Sequence, residues 1–131
     1  MNKTALITGA SRGIGKAIAK EFASQGYDLY LTCISSIEAL KEYALELEKN
    51  HGIRCLALQA DMGCYEEVAK VYEQIPALDV LVNNAGISYV GLLSDMTPEE
   101  WHKVMHTNLD AAEGGVNDAL AMKEADCGMA M

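Results

Sequence analysis

The sequence predicts an α/β fold, a doubly wound parallel sheet with the order βαβαβαβα. Three observations carry that expectation. Short, near-continuous apolar runs recur along the chain, as in strands buried on both faces. Segments with helical apolar spacing lie between them. A glycine-rich loop joins the first strand to the first helix.

The strands are expected at Thr4–Thr8, Asp28–Cys33, Ile53–Gln59 and Asp79–Asn83. Four apolar stripes mark the helices. Ile14, Ala17, Ile18 and Phe22 form the first, and Ile37, Leu40, Ala44 and Leu47 the second. Val68, Val71, Tyr72 and Ile75 form the third, and Trp101, Val104, Met105 and Leu109 the fourth. Ser35 with Glu38 fits a capping box. Thr97-Pro98-Glu99-Glu100 fits one better, with proline at the first helical position. His51, before Gly52, reads as a helix-end residue. Beyond Glu113-Gly114-Gly115 the pattern changes, and Val116–Met131 shows no strand signal.

Composition narrows the class. The 131 residues, half of them hydrophobic, suit one globular domain. Ten Lys and Arg against 19 Asp and Glu give a net charge of −9 at pH 7, which argues against nucleic acid or an anionic membrane as partner. The longest uncharged run, Val80 to Ser94, is too short to span a bilayer. Met1-Asn2-Lys3 runs straight into a strand pattern rather than a secretory segment. Cys33, Cys55, Cys64 and Cys127 fit no zinc spacing and read as small buried apolar residues. A reduced, cytoplasmic protein is the expectation. His102 and His106 stand four apart on a helix, but no third ligand is evident and no metal is expected.

Thr8-Gly9-Ala10-Ser11-Arg12-Gly13-Ile14-Gly15 follows the first strand and opens the first helix. Such a loop must turn tightly, let a diphosphate approach backbone N–H groups, and pack the helix close to the sheet. A Walker loop is excluded. Ala10 stands at its first glycine position, and Ala17 lacks the hydroxyl that would hold Mg²⁺.

With this loop the chain resembles the short-chain dehydrogenases/reductases. Thr8 to Gly15 is similar to that family's T-G-x-x-x-G-x-G loop. Asn83-Asn84-Ala85-Gly86 matches its N-N-A-G signature. Asp61, in Ala60-Asp61-Met62, falls where the family holds the adenine, and Asn108 in Thr107-Asn108-Leu109 matches its catalytic-site asparagine. The wording resembles the bacterial 3-oxoacyl-[acyl-carrier-protein] reductases of fatty acid biosynthesis. The resemblance implies a Rossmann-type sheet and an NAD(P)-dependent oxidoreductase that passes hydride between a nicotinamide dinucleotide and a carbonyl or acyl-thioester substrate. It implies cofactor contacts at Gly9, Ser11, Arg12, Gly13, Ile14, Gly15, Ser35, Asp61, Met62, Asn83, Ala85 and Gly86, with Asn108 as the remaining catalytic-site residue.

NADP is expected over NAD. An NAD enzyme wants a carboxylate at the end of strand two, where this chain reads Leu31-Thr32-Cys33-Ile34-Ser35-Ser36. Arg12 suits a 2′-phosphate, and Ser35 and Ser36 can donate to one. The family's phosphate-binding arginine near Ile34 is absent.

The family's chemistry also needs a Tyr-x-x-x-Lys pair on one helix face, in which the lysine lowers the tyrosine pKa, and a serine that orients the carbonyl. None of the six tyrosines has a lysine four residues on. The expectation is therefore a truncated sheet. Residues 1–112 would be the N-terminal half of a dinucleotide-binding domain, with an exposed edge beside strand four open to self-association. Residues 114–131 resemble the hinge motif of P-type cation-transporting ATPases, with Gly114 where that family has its Mg²⁺-binding aspartate. This implies a chimeric tail at 113–131. A non-catalytic dinucleotide-binding fragment and a non-functional chimeric product are the alternatives to an enzyme.

Overall fold

The computed structural model describes residues 2–86, 93–110 and 127–129. Five parallel strands make one sheet in the order β3-β2-β1-β4-β5: β1 Thr4–Ile7, β2 Asp28–Cys33, β3 Cys55–Gln59, β4 Val80–Val82 and β5 Cys127–Met129. Four α-helices connect them: α1 Gly13–Ser24, α2 Ile37–His51, α3 Tyr65–Glu73 and α4 Pro98–Met105, the last running into a π-helical turn, His106–Asp110.

The strand at the centre shows why the sheet is doubly covered. Ala5, Leu6 and Ile7 of β1 are all fully buried, but on alternate faces. Ala5 and Ile7 join Leu29, Leu31, Ala19, Leu40 and Leu47 in a core beneath α1 and α2. Leu6 joins Leu58, Leu81, Val68 and Val71 in a core beneath α3. Acidic residues tie down the strand starts: Asp79 accepts from the Thr4 N–H at 2.7 Å, and Asp28 from the Arg54 N–H at 2.9 Å.

Several expectations need correction. The expected strand bounds are one or two residues too generous except at β2, which falls as expected. The sheet has five strands, not about four, because Cys127–Met129 pairs in parallel with Val80–Val82. The tail was expected to hold no strand, and β4 therefore no outer neighbour. A three-residue run with a central glycine carries too little alternation to register as a strand.

The first helix turns a different face to the sheet. Gly15, Ala19 and Ala23 are buried, Ile18 and Phe22 are partly so, and Ile14 and Ala17 are exposed. Small residues at four-residue spacing let the helix axis come close to β1 and β2, and a stripe drawn through the large residues misses them. The second and third stripes fall as expected. In α4 no residue is buried and Trp101 is half-exposed, whereas the next turn buries Thr107. The Leu109 side chain lies outside the described residues.

At the caps, Thr97 and Glu100 form the reciprocal box, with bonds of 2.9 and 3.1 Å. The Ser35–Glu38 box does not form. Ser36 is the N-cap instead, and its side chain makes no capping bond. His51 ends α2, and Gly52 closes it with φ of +65°. Cys33 is buried, but Cys55 and Cys64 are only partly so, and all three are free thiols. Burial, with the nearby Glu48 carboxylate, pushes the Cys55 thiol up to about 12. No helix among the described residues is long and apolar enough to cross a membrane.

The face of α1 can be tested directly. Ala19→Leu should destabilise the chain by about 1–3 kcal/mol through overpacking, and Ala17→Leu by less than about 0.5 kcal/mol, in urea unfolding. Equal losses would contradict the assigned face.

Candidate functional site

At the C-terminal ends of β1, β2 and β4 the chain leaves the sheet in three loops, and a cleft of about 510 Å³ opens between them. Strand order reverses here, with β1 continuing to β2 on one side and flanked by β4 on the other. In open α/β sheets, this switch point is where ligands bind.

The first wall is the glycine loop. Gly9 and Gly13 have φ of +66° and +62°, a region an L side chain rarely adopts. A Cβ on Gly9 would also stand 2.9 Å from the Ala85 Cα, so the loop lies directly against the 83–86 segment. Gly15, buried one turn into α1, has the Gly9 carbonyl and the Asn84 amide where a side chain would be. The helix therefore starts beneath the loop, with Arg12, Gly13 and Ile14 at its head lining the cleft, and a helix N-terminus at such a place attracts a phosphate.

Two side chains fasten this wall to its neighbours. Asn84 Nδ2 donates to the carbonyl oxygens of Thr8 and Gly9, both at 3.1 Å. In return the Thr8 hydroxyl oxygen accepts the backbone N–H groups of Asn84 and Ala85, both at 3.0 Å. On the β2 side, Thr32 Oγ1 accepts the Gly9 N–H at 3.3 Å, and the Thr32 carbonyl accepts that of Ala10 at 2.9 Å. Thr8 and Thr32 are both buried, so these bonds form out of water, where an unpaired group would be costly.

Nine of the twelve expected cofactor residues line the cleft: Gly9, Ser11, Arg12, Gly13, Ile14, Ser35, Met62, Ala85 and Gly86. Three do not. Gly15 is packed under the loop, and Asn83 is buried with only 7% of its surface exposed. The Asp61 carboxylate accepts the Gly63 N–H at 2.8 Å, bracing its own turn, and Glu67 accepts the Asp61 N–H at 3.1 Å. Thr32, Cys33, Ile34, Ser36, Ala60 and Asn84 complete the lining. The roles of Thr32 and Asn84 could not be read from spacing, because a side-chain bond to a backbone group leaves no periodic trace.

Chemically the cleft is graded. Its β2 end carries Ser35 and Ser36, Arg12 of the glycine loop also lines it, and no carboxylate is among its lining residues. Ala60 and Met62 form an apolar side, and Ile14, 73% exposed, offers a large apolar surface at the mouth. Asn108 lies beyond the far end, where a Cβ on Gly86 would come within 3.1 Å of its Oδ1. The rings of His102 and His106 stack at 5.8 Å, and among the described residues no group of three or more His, Cys, Asp or Glu could hold a metal.

Comparison with known proteins gives this geometry a lineage. Residues 3–129 match the family model described as short chain dehydrogenase. The chain is 42% identical over 113 residues to the 3-oxoacyl-[acyl-carrier-protein] reductase of Staphylococcus epidermidis, covering 83% of this chain and 46% of that protein. It is 36% identical over 109 residues to an acetoacetyl-CoA reductase of Shinella zoogloeoides, covering 83% and 44%. Among solved structures, a short-chain dehydrogenase from Sphingobium yanoikuyae in complex with NADPH superposes with a TM-score of 0.83 at 32% identity, covering 92% of this chain and 48% of that one. The chain thus spans about half the length of the curated relatives it matches.

Asn84→Ala leaves two carbonyls without their donor and should destabilise the fold by about 1–3 kcal/mol. Chemical denaturation monitored by circular dichroism measures this, and an unchanged midpoint would show that the two loops are not held by Asn84.

Proposed function

The chain belongs to the short-chain dehydrogenase family, and on that premise we propose that its cleft binds NADP(H) as the cofactor-holding half of an oxidoreductase. The observation that carries the reading is the glycine loop closing onto the N-terminus of α1 at the switch point of a parallel sheet. Backbone N–H groups there would take the diphosphate, and the space where Gly13 lacks a Cβ would let it approach.

The choice of NADP over NAD rests on the β2 end of the cleft. An NAD site calls for a carboxylate to receive the ribose 2′-hydroxyl, and none lines this one. Arg12, with Ser35 and Ser36, offers a cation and two hydroxyl donors to a 2′-phosphate. The NADPH complex of the Sphingobium relative supports the same choice. Ala60 and Met62 would face the adenine, and Ala85, Gly86 and Asn108 the nicotinamide end.

The activity we propose for the parent machinery is hydride transfer between nicotinamide and a carbonyl, with a 3-oxoacyl thioester as substrate class. The reductases named for 3-oxoacyl-[acyl-carrier-protein] and acetoacetyl-CoA support that class. Bound NADPH would supply the hydride. This chain has no Tyr-x-x-x-Lys pair to supply the proton, so we propose that alone it binds cofactor without turnover. For residues 113–131 two readings compete, an ATPase-like graft and a continuation of the dehydrogenase. The family match through residue 129 and the parallel pairing of β5 favour the second.

Titrating the chain into NADPH and following nicotinamide fluorescence should give saturable binding, tighter than for NADH. No saturation up to millimolar concentrations would sink the reading. Arg12→Gln should weaken NADPH binding roughly 10- to 100-fold and leave NADH unchanged, since hydrogen bonds to charged groups carry about that much. With acetoacetyl thioester present, NADPH absorbance should stay at the background rate, and turnover would refute the assignment of a binding-only chain.

A further inference from the structure

Two consecutive residues of the π-helical turn rest on glycines of two different cleft loops. A Cβ on Gly63 would meet Thr107 Oγ1 at 2.6 Å, the Asp61 Oδ1 of its own turn at 3.2 Å and the Thr107 N at 3.3 Å. A Cβ on Gly86 would meet Asn108 Oδ1 at 3.1 Å. Thr107 is 97% buried although α4 before it buries nothing. The turn is therefore seated on the domain most deeply at Thr107, with Val104 and Met105 of the preceding helix only partly buried and Asn108 exposed. A π turn also widens the backbone enough to press a side chain into such a contact, and these turns recur at functional sites.

Thr107 does not line the cleft, so any effect on ligand must pass through Gly63. That path is short. The Gly63 N–H is held by the Asp61 carboxylate at 2.8 Å, and Met62, between them, is buried except for the surface it gives to the cleft wall. The Cys64 N–H returns to the Asp61 carbonyl at 2.9 Å, closing the turn. A tight turn with its last glycine wedged from behind has no freedom to carry Met62 outward or inward.

We propose that Thr107 is a positioning residue for the dinucleotide. Pressed against Gly63, it sets the Asp61–Gly63 turn and with it the Met62 side of the cleft. This rests on the reading of the cleft as a dinucleotide site. The complementarity is one of volume, a hydroxyl-bearing side chain against a missing one, so each partner should tolerate change only when the other changes with it.

The test is a four-membered cycle in the full chain: unsubstituted, Gly63→Ala, Thr107→Ala and both together. Affinities for NADPH and for adenosine 2′,5′-bisphosphate, which lacks the nicotinamide half, are measured well below every variant's melting transition. Gly63→Ala should weaken both ligands by roughly tenfold, the scale of an overpacked contact. Thr107→Ala should weaken them less, and the double variant should recover the part of the loss that the 2.6 Å contact with Thr107 Oγ1 causes. A role confined to folding would move the melting temperature and leave the two affinities of the folded protein equal across the cycle, which would overturn the proposal. Gly63→Ala binding as tightly as the unsubstituted chain, or a double variant no better than Gly63→Ala, overturns it too. If the unsubstituted chain binds neither ligand, the dinucleotide reading fails first and this assignment with it.

Discussion

Thr8-Gly9 and Asn84-Ala85 hold each other through four hydrogen bonds of 3.0–3.1 Å, two from the Asn84 side-chain amide to the Thr8 and Gly9 carbonyls and two from the Asn84 and Ala85 backbone N–H groups to the Thr8 hydroxyl. The rest of the cleft depends on this exchange. Strands β1 and β4 are neighbours in register from Ala5–Val80 to Ile7–Val82, and the last backbone bond between them is from the Thr8 N–H to the Val82 carbonyl at 3.2 Å. A turn that leaves a parallel sheet carries backbone groups with no strand to meet them, and water or side chains must satisfy them. Here side chains do so on the buried side. On the cleft side, Arg12, Gly13 and Ile14 at the head of α1 form part of the lining.

Packing supports the same division. Beneath α1 the chain uses Gly15, Ala19 and Ala23, so the helix lies low on the sheet and its N-terminus enters the cleft rather than standing above it. A bulkier stripe would raise the helix axis and lift the loop off Asn84. On the opposite side, α3 covers Leu6, Leu58 and Leu81 with Val68 and Val71, and its preceding turn, Asp61–Gly63, supplies the Met62 side of the cleft. The cleft is thus a by-product of how two helical layers meet one sheet, with residue identity constrained most where no side chain fits.

What the sequence made legible follows from the kind of interaction. The β1 and β2 runs, buried on both faces, and the loop from Thr8 to Gly15 are visible because burial on two faces and positive φ each demand particular residue types. The face of α1 was misread because large residues were weighted over small ones, while close approach is made by small ones. Of the paired asparagines, Asn83 was expected to meet the cofactor, whereas Asn84 lines the cleft and Asn83 lies buried. Adjacent identical residues at the end of a strand point to opposite sides, and nothing local distinguishes which side is the cleft. Strand β5 was missed because three residues around a glycine gain strand character only from the partner they pair with. Asp61 shows the converse. Its position marks the right loop, and its Oδ1 accepts the Gly63 N–H of that turn.

Backbone amide exchange of the chain, with and without NADPH, bears most directly on a cradle fastened before its ligand arrives. Without ligand, the amides of Gly9, Asn84 and Ala85 should exchange as slowly as those of β1, and those at the start of α1, from Gly13 to Gly15, should exchange fast. Adding NADPH should slow the second set and leave the first unchanged. Fast exchange at Gly9, Asn84 and Ala85 that slows only when NADPH binds would contradict the account, because the ligand rather than Thr8 and Asn84 would then be assembling the site.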